Sequence, residues 1–81
     1  MKWRPLYPRW KVTFGGNSHR VMVVRGMTPE DVADRVVWVQ FGRSARARRI
    51  TGRIGEPGAF EAIGWHGEHA AVFEVNPEEE R

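Results

Sequence analysis

The sequence predicts an α+β fold: a small two-layer domain with one helix packed on an antiparallel sheet, in the order β-β-α-β-β-β. Three observations carry this. Residues 9–14 alternate polar and apolar, Thr28-Pro29-Glu30-Asp31 opens a helical repeat, and residues 59–65 and 69–75 form two strand-like runs around a short loop. Strands that follow one another through short turns pair antiparallel, and a single amphipathic helix can bury its stripe only against that sheet.

Residues 1–8 (Met-Lys-Trp-Arg-Pro-Leu-Tyr-Pro) hold two prolines and no periodicity, and read as an extended arm. Trp10, Val12 and Phe14 then alternate with Arg9, Lys11 and Thr13, the period-2 pattern of a half-buried strand. Gly15-Gly16-Asn17-Ser18 supplies turn chemistry, and His19–Arg25 gives the returning strand of a hairpin. Thr28 suits a helix cap, Pro29 the first helical position, and Glu30 and Asp31 the positive end of the helix dipole. Val32, Val36 and Val39 then cluster on one side, with Ala33, Val37 and Phe41 widening the apolar arc. Gly42 suits the stop, so the helix is expected over residues 29–41. The β-branched run Val36-Val37-Trp38-Val39 also fits a strand, which leaves residues 36–41 open between the two.

Residues 43–49 read as a basic connection. A third strand is expected next, with Ile50 and Ile54 pointing inward and Arg49, Thr51 and Arg53 outward. Glu56-Pro57-Gly58 reads as a turn, His66-Gly67-Glu68 as a hairpin loop, and Asn76-Pro77 as the stop of the last strand. The expected organisation is an arm over 1–8, one domain over 9–76 and an acidic tail over 77–81. Trp10, Val12, Phe14, Val21, Val23, Val32, Val36, Ile50, Ile54 and Phe73 are the expected core.

Charge is sorted along the chain. Residues 1–54 hold twelve of the thirteen Lys and Arg against Glu30, Asp31 and Asp34, a net +9, whereas residues 55–81 sum to −6. Such a field bears on partners rather than on fold. The absence of Cys excludes disulfides and thiolate metal sites and makes a reducing cytoplasm the expected compartment. Val36–Val39, the longest apolar run, is far short of the ~20 residues that span a bilayer, so no membrane partner is expected.

Eleven of the basic residues are Arg, whose planar fork suits phosphate and carboxylate. Arg43, Arg46, Arg48, Arg49 and Arg53 fall within eleven positions, and Arg9 and Lys11 lie on the polar side of the first strand. Should the third strand pair near the first, the seven would merge into one positive surface for phosphate backbones. The competing reading is a solvated loop. Trp3, Tyr7 and Trp38 are candidate partner contacts: the first two interleave with Lys2, Arg4 and Arg9, and the helical wheel sets Trp38 between Asp34 and Arg35, off the apolar arc. His66 and His69 with Glu68 form too small a ligand set for a metal site, so no metal and no cofactor is expected. No nucleophile–base pair or phosphate loop is present either, so no enzyme is expected. The sequence therefore points to a non-enzymatic module that contacts nucleic acid largely without sequence specificity. The alternatives are an adaptor or inhibitor meeting an acidic protein, and a homo-oligomer joined through its basic and acidic regions.

Overall fold

The computed structural model describes residues 7–15 and 20–78. Within them the chain forms β1 (Arg9–Phe14), β2 (Val21–Arg25), α1 (Pro29–Phe41), a 3-10 turn (Gly42–Ser44), β3 (Ala45–Arg49), β4 (Gly58–Gly64) and β5 (His69–Pro77). The strands make one antiparallel sheet in the order β2-β1-β5-β4-β3. This is the α+β class and the β-β-α-β-β-β order that the sequence predicts. Among the described residues, no helix is long and apolar enough to cross a membrane.

Helix α1 starts and stops on local chemistry. The Thr28 hydroxyl accepts the Asp31 backbone N–H at 3.1 Å, Pro29 occupies the first turn, and Glu30 and Asp31 face the positive end of the dipole. Gly42 has φ 66°, which an L side chain rarely adopts, and its N–H donates to the Trp38 carbonyl. Residues 36–41 are therefore helix. Val32, Ala33, Val36 and Val37 are buried, and they meet Trp10, Val12, Phe60, Ala62, Phe73 and Val75 from the sheet. Trp10 also donates its indole N–H to the Gly26 carbonyl at 2.9 Å, which ties β1 to the entry of the helix.

The strand register assigns each face. Val12 pairs with Met22 and Trp10 with Val24, so Met22 and Val24 of β2 face the helix. Val21 and Val23 pair with Thr13 and Lys11 and lie exposed on the opposite, open face. This corrects their expected place in the core. A Val-Met-Val-Val run carries no alternation of its own, so the partner strand decides which side goes in.

The third strand is displaced from its expected position. It occupies Ala45–Arg49 within the stretch read as a connection, and Ile50 and Ile54 are exposed, Ile54 at 87%. Both isoleucines leave the expected core for a backbone reason: Gly52 and Gly55 adopt φ of 85° and 91°, which turn the chain rather than extend it. The inward side of β3 is built from Ala45, Ala47 and Arg49, opposite Gly64, Ala62 and Phe60. Gly58 lets the loop close over this end, because a Cβ there would collide with the Thr51 carbonyl oxygen and sit 2.7 Å from the Arg49 guanidinium.

The last strand runs through Asn76 and Pro77, which pair with Lys11 and Trp10. Glu78 follows in the same line: its N–H donates to the Arg9 carbonyl at 3.0 Å and its carboxylate meets the Arg9 guanidinium at 2.8 Å. Asn76-Pro77 thus belongs to the sheet, and the strand ends at Pro77 as the sequence predicts. Residues 79–81 lie outside the described residues.

Candidate functional site

The sheet order separates the basic residues that the sequence grouped. β5 and β4 stand between β1 and β3, so Arg9 and Lys11 are three strand spacings, about 14 Å, from the β3 arginines. The expected pairing of the third strand near the first does not occur, and the seven residues do not merge into one patch.

Three of the seven are held by carboxylates. Arg9 pairs with Glu78. Arg48 bonds Glu61 through Nε at 2.7 Å, and His69 Nδ1 lies 2.8 Å from the other oxygen of the same buried carboxylate. Arg49 faces the helix side, with its side chain only 14% exposed. Its guanidinium donates to Glu30 at 2.9 and 2.6 Å, to the Thr51 carbonyl at 2.8 Å and to the Glu56 carbonyl at 2.7 Å, and lies over the Phe60 ring. Glu30 in turn accepts the Gly55 N–H at 3.1 Å. Desolvation alone would raise the Glu30 carboxyl, but the Arg49 hydrogen bonds and the backbone N–H groups outweigh it and hold the group below its usual range. Arg49 is thus a clamp joining α1, β3 and the loop to β4. Arg53 sits on that loop, beyond the end of β3, and its side chain has no partner among the described residues.

Arg43 and Arg46 differ from these. Among the described residues neither meets a carboxylate; each lies over an indole instead, Arg43 5.7 Å from the Trp38 ring centre and Arg46 5.6 Å from that of Trp65. Trp65 donates its N–H to the Arg43 carbonyl at 2.7 Å, so Arg43 touches one indole with its side chain and holds the other with its backbone. Trp38 is 56% exposed and Trp65 63%. Together they border a groove of about 370 Å³ between the C-terminal half of α1 and β3, floored by Val37, Ala45 and Ala47. Asp34 is the carboxylate on its rim. Its pKa is raised first by desolvation and then by the nearby charges of Asp31 and Glu30.

Of the expected partner contacts, Trp38 lies in this site. Tyr7 is exposed and lines a neighbouring cleft with Met27, Asp31 and Arg35, a cleft that reaches Trp38 from its other side. Trp3 lies outside the described residues. Trp65 was not singled out by the sequence. Its signal is a position one residue past Gly64, where β4 ends and the hairpin turn begins, so the inward alternation no longer claims it. The β3–β4 register that pairs Ala45 with Gly64 then brings it beside Arg43. No family model, curated protein or solved structure matches the chain.

Proposed function

We propose that the protein is a non-enzymatic module that binds nucleic acid through the groove between α1 and β3, largely without reading sequence. One observation carries this reading: two exposed tryptophans border one groove, each beside an arginine that no carboxylate among the described residues neutralises. Indole faces stack on any base, and guanidinium forks suit phosphate, so the pair gives affinity with little discrimination. Arg53 and Lys11 add positive charge at a distance, whereas Arg9, Arg48 and Arg49 have partners within the chain. The helix exposes Asp34 and Arg35 rather than a row of base-reading side chains, which argues against insertion into a major groove.

The experiment is an oligonucleotide titration across salt concentration. Each neutralised phosphate of a single strand contributes about −0.7 to the slope of log K against log salt. Two to four contacts therefore give a slope on the order of −1.5 to −3. A slope near zero would refute the electrostatic reading.

A second reading, a protein adaptor, draws on β3 being a sheet edge beside the same tryptophans. It requires capture of an acidic protein that survives nuclease treatment. Self-association through opposite charges has less to draw on, because Glu61 and Glu78 of the acidic region already pair with arginines of their own chain.

A further inference from the structure

The groove lies between the C-terminal half of α1 and β3, bordered by Trp38 and Trp65. Its floor is made of side chains that end early: Ala45 and Ala47 on β3, with Val37 of the helix beneath. Larger residues at 45 and 47 would fill it. The volume of about 370 Å³ lies in the range of small-ligand sites, roughly 300–1,000 Å³. An indole whose N–H is already bonded, as that of Trp65 is to the Arg43 carbonyl, is restrained and offers a ligand its ring rather than its N–H, with Arg46 over one face. Restraining the ring before binding lowers the ordering cost of stacking. The contrast with Trp10, which is buried and bonded to Gly26, shows that the chain does not need Trp38 or Trp65 for its core.

Charge sets which part of a nucleotide enters. Arg43 and Arg46 stand on the borders of the groove, suited to phosphates on either side of a base. Asp34 on the rim repels a phosphate, yet can accept from the N–H groups on a base edge. A paired duplex keeps its bases stacked inside and cannot fill such a slot, whereas a single strand can turn one out.

Resting on the nucleic-acid reading above, we propose that the groove takes one unpaired base of a single-stranded nucleic acid, stacked on Trp38 and Trp65, with the flanking phosphates on Arg43 and Arg46.

The test titrates four probes at one fixed salt concentration: a mixed-sequence single strand of about 12 nucleotides, within the site sizes such proteins cover, an abasic strand of the same length, the matching duplex, and heparin. The full-length protein is compared with Trp38→Ala and Trp65→Ala, both exposed positions. The single strand is expected to bind tighter than the abasic strand and the duplex. Each Trp variant is expected to weaken the single strand about 5- to 150-fold while leaving the abasic strand unchanged. Equal affinity for the single and abasic strands, or an equal loss for both in the Trp variants, would overturn the base slot and leave the electrostatic reading standing. Failure to bind any of the four probes would remove both.

Discussion

Phe73→Ala is expected to lower the free energy of unfolding by about 3–5 kcal/mol. Phe73 is fully buried on the central strand of the sheet. It pairs across to Phe14 on β1 and to Phe60 on β4, with ring centres 5.6 and 6.1 Å away. Truncation leaves a hole that neither neighbour can fill, because both are anchored in their own strands. For 81 residues the whole stability is on the order of 4–12 kcal/mol, so this one change consumes a large share of it. Phe73→Leu, which keeps most of the volume, is expected to cost less than about 1.5 kcal/mol. Urea denaturation measures both, and a loss below about 1 kcal/mol for the alanine variant would contradict the packing described.

Arg49→Ala is expected to cost about 2–4 kcal/mol, although it removes a residue that the sequence reads as part of a solvated basic face. Removal strands the Glu30 carboxylate and leaves the Thr51 and Glu56 carbonyls without their donor. Arg49→Lys keeps the charge but loses the planar fork, and is expected to recover only part of the loss. The pair also fixes a pH dependence. The Glu30 carboxyl is depressed in the folded state, so its contribution is complete above the unfolded value of about 4.3 and disappears as pH falls through the lower folded value. In Arg49→Ala that part of the acid sensitivity is expected to vanish. Asp34 works in the opposite sense: its raised carboxyl costs stability once ionised, and the cost is relieved as pH falls through its folded value. Denaturation followed from neutral pH to well below the ordinary carboxylate range separates the two, and an unchanged acid sensitivity in Arg49→Ala would contradict the clamp.

What the sequence makes legible follows from how local each signal is. The helix is set by neighbours in the chain: Thr28 caps it, Pro29 starts it and Gly42 ends it, and its observed span is the predicted one. β1, β4 and β5 likewise carry their own apolar runs. β3 does not, because its inward positions are two alanines and an arginine. An arginine can turn inward only because Glu30, nineteen residues earlier, waits for it. Nothing near Arg49 in the sequence announces that partner, whereas Ile50 and Ile54 imitate a buried pair and are carried out to solvent by Gly52 and Gly55.

The site divides in the same way. Trp38 is visible on a helical wheel, since its place off the apolar arc follows from the helix alone. Trp65 becomes visible only through the pairing of β3 with β4, which sets it against Arg43 and Arg46. The charge segregation that dominates the sequence is settled only in part within the fold: Arg9 and Arg48 find Glu78 and Glu61 of the acidic region, and Arg49 finds Glu30 within the basic one. Arg43 and Arg46 are left beside aromatic rings instead.

The claim that binding belongs to this groove, and not to positive charge in general, is tested most directly by two double variants of equal charge. Arg43→Ala/Arg46→Ala removes the two arginines of the groove, and Arg9→Ala/Lys11→Ala removes two charges from β1. Each is titrated with the same single-stranded oligonucleotide across salt. The groove variant is expected to lose about tenfold or more in affinity and about 1.4 in salt slope, the share of two phosphates, while the β1 variant stays within about twofold of the parent. Equal losses in the two variants, or a larger loss in the β1 pair, would contradict the assignment.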